Sequence, residues 1–461
     1  MAPMAAQDIP QMVEALRASF DAGQTRSHTW RDRQLRRMRD MLRENEAALG
    51  DAMKEDLGKS HFDCWLSELN VLCDEIDFSR KHLRSWMRPE RVATPIHLQP
   101  ASCTILREPL GVVLVLGAWN YPIQLTLAPA IAAIAAGNCV LLKPSEVSPA
   151  SARLLCELLP RYMDPSCIRI VDGGIPEATA LLEQRFDHIF YTGGGVVGRI
   201  VMEAAAKHLC PVTLELGGKS PVIIDSDVHL KVAARRVARG KFWNAGQTCI
   251  APDYALVHER IEARFLKALQ QAIRSFYGAS PEASDDFGRI VNDRHFQRLT
   301  GLLEGQEVLA GGETNSEARY IAPTVLKNVA PDSAVMNEEI FGPILPVLSV
   351  RDMDEAIGFV NARPKPLALY VFSRNKETQE SILSRTSSGG ACVNETLFHF
   401  APHELPFGGV GGSGMGAYHG RFGFETFTHR KSVLNKSTAV DPPMAYPPFT
   451  AAKQKWVRRL L

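Results

Sequence analysis

Val112-Val113-Leu114-Val115-Leu116 is followed by a polar turn, Gly117 to Pro122, a helical stretch from Ile123 to Ala136, the pair Gly137-Asn138, and a second apolar run, Cys139 to Leu142. Five β-favouring residues without alternation are what a parallel strand buried on both faces requires. Gly137 and Asn138 suit a left-handed helix end, and the second run closes in the polar Lys143-Pro144-Ser145-Glu146. The stretch therefore reads as a βαβ unit. A membrane span is excluded because Gln124, Thr126, Pro129, Gly137 and Asn138 interrupt the apolar residues.

The alternation continues outward. Ser148 to Leu159 and Pro176 to Gln184 read as helices, Ile168 to Val171 and His188 to Tyr191 as strands, and a helix opens at Val197 after Thr192-Gly193-Gly194-Gly195. This is a doubly wound α/β arrangement. A second α/β segment runs from Val212, with strands at Pro221 to Ile224, Tyr254 to Val257 and Ala368 to Phe372, and helices at Val228 to Trp243 and Ile261 to Tyr277. Upstream, Asp8 and Ser27 are candidate caps for two amphipathic helices, the second running to Leu49, and a third helix spans His61 to Trp86. The arginines at 31, 33, 36, 37, 39 and 43 are interleaved with acids and read as one solvated face. Pro89 and Pro95 bracket a β-like excursion that reads as an arm, and no solenoid repeat is present.

With 461 residues, 45% hydrophobic and 22% charged, the chain has the composition of a globular enzyme with about three domains' worth of core. Lys+Arg 52 against Asp+Glu 51 gives no electrostatic case for nucleic acid. The cysteines at 64, 73, 103, 139, 156, 167, 210, 249 and 392 form no Cys-x-x-Cys pair, which argues for reduced thiols, a cytoplasmic location and no metal. Met1 to Asp8 lacks the features of a secretory signal, so the sequons at Asn394 and Asn435 are not expected to be used. Pro402 breaks any helix between His399 and His403, which argues against a metal pair, and Gly408 to Gly420 contains no P-loop.

Two residues carry candidate chemistry. Cys249 ends Asn244-Ala245-Gly246-Gln247-Thr248-Cys249, and Glu215 opens Glu215-Leu216-Gly217-Gly218-Lys219. A thiol can attack a carbonyl carbon and hold it as a thioester, and a carboxylate can activate the water that releases it. Most cysteines are small core residues; Cys249 alone follows a polar, glycine-flexed run. Asn120, beyond a strand end, offers an uncharged N–H to a developing oxyanion, although a turn-forming Asn before Tyr-Pro has the same spacing. Lys143 can donate to ribose hydroxyls, and Glu146 can accept from a 2′-hydroxyl while repelling a 2′-phosphate, a lean toward NAD. Gly193 to Gly198 suits either a pyrophosphate or a tight turn.

Trp119-Asn120-Tyr121-Pro122, Lys143-Pro144-Ser145-Glu146, Glu215-Leu216-Gly217-Gly218-Lys219, Gly246-Gln247-Thr248-Cys249, Glu338-Glu339-Ile340-Phe341-Gly342-Pro343 and Pro406-Phe407-Gly408-Gly409, in this order, resemble the aldehyde dehydrogenases. Thr248 before the nucleophile and Leu405 to Gly416 look like the class 3 branch of fatty, benzaldehyde-type and coniferyl aldehyde dehydrogenases.

The resemblance implies an α/β fold with a Rossmann-type cofactor domain (1–81 and 99–209), an α/β catalytic domain (210–393), and a β-rich oligomerisation arm with the tail (82–98 and 394–461). It implies CoA-independent oxidation of an aliphatic or aromatic aldehyde, with Cys249 as nucleophile, Asn120 and the Cys249 amide holding the oxyanion, and Glu215 activating water. Glu339 in the same role is the alternative for the base. The cofactor, NAD with NADP possible, is held by Lys143, Glu146, Gly193, Gly198, Glu339 and Phe341, and the substrate entrance by Tyr121, Leu125, Trp243, Thr248 and Phe407. Many relatives carry Ser or Thr where this chain has Gly194-Gly195. A homodimer is expected. The basic, amphipathic tail Lys453 to Leu461 is too short to span a membrane and suits weak peripheral contact. The rival readings are a cysteine acyl-transferase or esterase without redox chemistry and a non-catalytic structural protein; neither needs nucleotide-binding residues.

Overall fold

In a computed structural model, residues 6–460 are described, and they form two large sheets, a three-stranded sheet and flanking helices. The reading of residues 1–5 lies outside the described residues. The first sheet has six strands in the order Gly414–Met415, Val212–Glu215, His188–Thr192, Val112–Leu116, Cys139–Lys143, Ile168–Ile170. All neighbours are parallel except Gly414–Met415, which runs antiparallel to Val212–Glu215. Every residue of Val112–Leu116 is buried, as its uninterrupted apolar run requires. The chain goes outward from that strand to Cys139–Lys143 and Ile168–Ile170, then returns to its other side at His188–Thr192. This reversal opens a crevice beyond the carboxyl ends of the two central strands.

The second sheet has seven strands in the order Glu307–Ala310, Thr324–Lys327, Ile344–Val350, Tyr254–His258, Pro221–Ile224, Ala368–Phe372, Gly390–Val393, with only the first pair antiparallel. The third joins Glu90–Val92, Ala101–Pro109 and Thr428–Lys436, the last two in nine-residue register. Sheet membership thus differs from the boundaries inferred above. Val212–Glu215 belongs to the first sheet through parallel pairing with the preceding strand His188–Thr192, and Ala101–Pro109 to the third through pairing with the distant Thr428–Lys436, which local sequence does not reveal.

Three helical expectations change. Asp8 precedes the helix Ile9–Asp21 but makes no side-chain cap bond, whereas Ser27 accepts from the Trp30 amide. The expected helix to Leu49 breaks at Asn45, whose side chain donates to the Met41 carbonyl (2.8 Å) and the Tyr162 hydroxyl (3.1 Å), competing with the helical pattern. The third helix contains a wider π turn over Trp65–Leu69.

Arg31 is not on a solvated face. It is 4% exposed and donates to the carbonyls of Thr25, Arg26 and Ala135, the last in the final turn of the helix Gln124–Ala136. A Cβ on the left-handed Gly137 would lie 2.3 Å from the Arg31 guanidinium, so only glycine fits there. Arg31→Ala is expected to lower stability by about 2–4 kcal/mol because it orphans buried carbonyls, whereas Arg36→Ala on the exposed face changes it by about 0.5 kcal/mol or less. Denaturant melts of the two variants side by side measure the contrast.

Candidate active site

Loops that leave the first sheet at its carboxyl end meet loops from the second. Cys249 follows the turn Trp243–Gly246, in which Asn244, Ala245 and Gly246 take positive φ of 52°, 51° and 74°. Non-glycine residues persist there only where surroundings enforce it. Here they do: Asn244 Nδ2 donates to the carbonyls of Asn120 (2.8 Å) and Gln247 (3.1 Å). The Gln247 side chain bonds the Asn244 and Arg289 carbonyls and the Val291 amide. A Cβ on Gly246 would lie 2.2 Å from the Gly342 carbonyl oxygen, so this turn packs directly on the segment containing Glu339 and Phe341. Phe341 has φ of 50° and meets Trp119 edge to face at 5.2 Å.

Asn120 is buried, and its Nδ2 donates to the Gln247 carbonyl at 3.1 Å, two residues before Cys249. Behind it lie two charges not foreseen from the sequence. Lys59 Nζ donates to Glu68 Oε1 (2.7 Å) and to the Asn120 carbonyl (3.2 Å), and sits 3.9 Å from the Tyr121 ring centroid. Glu68 Oε2 accepts the amides of Ile123 (2.9 Å) and Gln124 (3.1 Å). Lys59 and Glu68 lie far from Asn120 in the chain, and nothing local in the sequence marks their partnership. Asn244 and Gln247 lie within the quoted Cys249 run, but their bracing role depends on the folded turn.

Glu215 ends its strand in register with Thr192, and its carbonyl accepts from the Gly193 amide at 3.0 Å. Its carboxyl is 3% exposed, neither oxygen has a hydrogen-bond partner among the described residues, and burial holds it well above the usual carboxylate range. Burial, followed by repulsion from Asp253, also raises Glu339 to about 8, although the Gly218 amide, Lys219 and Lys241 oppose this. A Cβ on Gly217 would lie 1.9 Å from Glu339 Oε2, so only glycine lets Glu339 lie against the Glu215–Gly218 loop. Burial pushes the Cys249 thiol up, and Glu339 and then Glu215 push it further. Burial and the two neighbouring acids thus all act against the thiolate form of Cys249.

A cavity of about 220 Å³ is lined by Cys249 and by all five expected entrance residues, Tyr121, Leu125, Trp243, Thr248 and Phe407. The Tyr121 hydroxyl and Thr248 Oγ1 are 2.7 Å apart. Leu397, Phe398, Tyr418 and His419 complete the wall, so the segment after Asn394, read as arm and tail, also builds this cavity. His399 and His403 do not converge: His399 Nδ1 faces Cys392 Sγ at 3.4 Å, and His403 Nδ1 faces Glu75 Oε2 at 2.8 Å.

On the cofactor side, Lys143 Nζ donates to Glu146 Oε2 at 2.9 Å; burial raises the Glu146 carboxyl, but this bond prevails and lowers it. The glycine turn resolves into two kinds of position. A Cβ on Gly193 would meet the Tyr191 hydroxyl at 2.3 Å, so glycine is required there for packing, and one on Gly198 would press on Leu216 at 3.0 Å. Gly194 and Gly195 have nothing within 4 Å and open onto the start of the helix Gly195–Ala206. Free amides at a helix start, an open glycine face and the adjacent Lys143-Glu146 pair fit a dinucleotide.

The profile of the Aldehyde dehydrogenase family matches residues 1–433. The chain belongs to the aldehyde dehydrogenase family. It is 50% identical over 445 residues to the "Aldehyde dehydrogenase, dimeric NADP-preferring" of Rattus norvegicus, covering 96% of this chain and 98% of the relative. It is 48% identical to the "Aldehyde dehydrogenase family 3 member A2" of Mus musculus, covering 98% and 94%. The solved "Substrate bound state of Staphylococcus Aureus AldH" superposes with a TM-score of 0.96 at 43% identity, covering 98% of each chain. This aldehyde dehydrogenase is an NAD(P)-dependent oxidoreductase acting on aldehydes, as its motifs imply.

Glu68→Gln leaves Lys59 buried without its counter-charge and is expected to cost about 3–5 kcal/mol. The double variant Lys59→Met/Glu68→Met is expected to be more stable than Glu68→Gln alone, in thermal melts at matched concentration.

Proposed function

We propose that this enzyme oxidises an apolar or aromatic aldehyde to its carboxylic acid, without CoA, through a covalent thioester on Cys249. The observation that carries this is the apolar cavity in which Cys249 lies among Tyr121, Leu125, Trp243 and Phe407. The Cys249 thiol gives its proton to a neighbouring carboxylate, and the sulfur attacks the aldehyde carbon. The carbonyl oxygen gathers charge and takes hydrogen bonds from Asn120 Nδ2 and the Cys249 amide. The chemistry a bound NAD(P) would supply is a hydride acceptor for the thiohemiacetal on Cys249, whose oxidation gives the thioester. Gly194 and Gly195 would hold its pyrophosphate, Lys143 and Glu146 one ribose, and Glu339, beside Phe341, the other. Glu146 favours NAD; the rat relative is named NADP-preferring, which supports acceptance of both.

Glu215 then takes a proton from the water that attacks the thioester, which releases the acid. Glu215 is preferred over Glu339 because both its oxygens are free, whereas Glu339 accepts the Gly218 amide and rests on Gly217. A raised carboxyl is also the stronger proton acceptor once ionised. The two sheets support separate cofactor (1–81 and 99–209) and catalytic (210–393) domains, with the adjustments described above.

The exposed strand edge at Thr428–Lys436, with half-exposed Leu434, supports a homodimer, in keeping with the "dimeric" of the rat relative's name. Nine unpaired cysteine thiols support a cytoplasmic location. Among the described residues no helix is long and apolar enough to cross a membrane. The helix Ala451–Leu460, with Trp456 half exposed among basic residues, supports weak peripheral membrane contact. Deleting residues 448–461 is expected to reduce co-sedimentation with anionic liposomes while light scattering still reports a dimer; unchanged co-sedimentation refutes the tail's role.

Cys249→Ala is expected to abolish aldehyde-dependent formation of reduced nicotinamide, and Asn120→Ala to lower kcat by about 10²- to 10³-fold. Glu215→Gln is expected to give a first-turnover burst followed by slow release in stopped-flow. A normal steady-state rate for Glu215→Gln would transfer the base role to Glu339.

A further inference from the structure

The catalytic cavity shares Leu66, Trp243 and Phe398 with a second groove of about 790 Å³ that opens outward. Pockets that bury a whole ligand usually measure about 300–1,000 Å³, so the inner 220 Å³ accommodates the reacting end, and the outer groove is where a longer molecule continues. One wall of the groove is the helix Leu230–Phe242, which runs directly into Trp243. Arg239 and Arg235 precede Trp243 at intervals of four and line the same groove. At the helical rise they stand about 6 and 12 Å farther out than Trp243.

The charges around the groove are unevenly committed. Glu395 is shared by Arg236 and Arg239, and Arg239 also lies 4.6 Å from the Phe398 ring with its Nε buried and unpartnered among the described residues. Asp63 accepts from Trp243 Nε1, and Asp63 and Asp286 also line the groove and both act on Tyr277. Arg235 makes no ion pair among the described residues and lies 5.4 Å from the Phe276 ring. The helix side of the groove therefore joins aromatic surface to an uncommitted cation.

We propose that this groove is an outer binding site for the far end of the substrate, where an anionic group such as a carboxylate docks on Arg235 beside Arg239. The favoured substrates are then amphiphiles with an aldehyde at one end and an anion at the other. This deepens, and rests on, the assignment of the Cys249 cavity as the place of oxidation. Arg235 contributes to recognition and not to chemistry.

The test compares ω-oxo carboxylic acids of increasing chain length with their methyl esters, as kcat/KM from reduced nicotinamide. Once the chain reaches the groove, the acid is expected to exceed its ester by about fivefold at low ionic strength, an advantage that shrinks in high salt. Arg235→Gln is expected to bring that ratio to about one, and Arg235→Lys to keep most of it. Equal constants for acid and ester at every length, or an Arg235→Gln effect that lowers both alike, overturn the proposal. If simple alkanals also fail to turn over, the Cys249 assignment fails and the outer site with it.

Discussion

The geometry of the site depends on the buried ion pair between Lys59 and Glu68, both fully shielded from water. Taking two charges from water costs more than their attraction alone returns unless further hydrogen bonds complete their shells. Glu68 completes its own with the two amides that open the helix Gln124–Ala136, where the positive helix end favours a carboxylate. Lys59 completes its own with the Asn120 carbonyl and the Tyr121 ring. One arrangement satisfies all these groups together. The loop between the first strand and its helix is thereby fixed at Asn120, Tyr121 and Ile123, and the Asn120 amide is aimed at the Cys249 turn by its backbone as well as by its own bond to Gln247. In the oxyanion role proposed for it, an amide held this way loses little to reorganisation.

Glycine performs the complementary task between the two sheets. Gly217 admits the Glu339 carboxylate and Gly246 admits the Gly342 carbonyl, while a Cβ on Gly414 would lie 2.0 Å from the Leu214 carbonyl oxygen beside Glu215. These approaches join Glu215, Glu339 and the Cys249 turn through backbone rather than through long side chains. Cofactor-side and substrate-side halves of the site are consequently set by the same few loops.

Much of this was legible in the sequence because it is written locally. Val112–Leu116 announces a buried parallel strand, Gly137 ends the following helix as expected, and Cys249 stands apart from the other cysteines by its polar, glycine-rich approach. What sequence reading missed is written across long separations. Arg31 looks like its five exposed or partly exposed neighbours until the helix Gln124–Ala136 is laid against it. Lys59 and Glu68 look like surface charges until the loop at Asn120 closes over them. The wall formed by Phe398, Tyr418 and His419 comes from a segment read as arm and tail, in which Phe407 alone was placed at the entrance. Gly193 and Gly198 illustrate the limit in a single motif: the pattern is visible, but which glycines serve packing and which face open space depends on Tyr191 and Leu216.

The charge state of the resting site follows from the same burial. Cys249, Glu215 and Glu339 are all disfavoured as anions, and Lys241, fully buried with its Nζ unpartnered among the described residues, is lowered to about 8 by burial, against the pull of Asp253 and Glu339. Acidic groups crowded in a medium of low polarity cannot all ionise, so thiol and carboxyls compete for the same negative charge. Moving a proton from Cys249 to an ionised carboxylate relocates that charge onto sulfur without adding a second one. The cost of creating a thiolate is then confined to the difference between two neighbouring positions, and the cavity never has to carry two adjacent anions. Burial raises the thiol further than it raises Glu339, so this transfer runs uphill, and in the roles proposed above the hydrogen bonds of Asn120 and the Cys249 amide favour the step that follows by drawing the charge from sulfur onto oxygen.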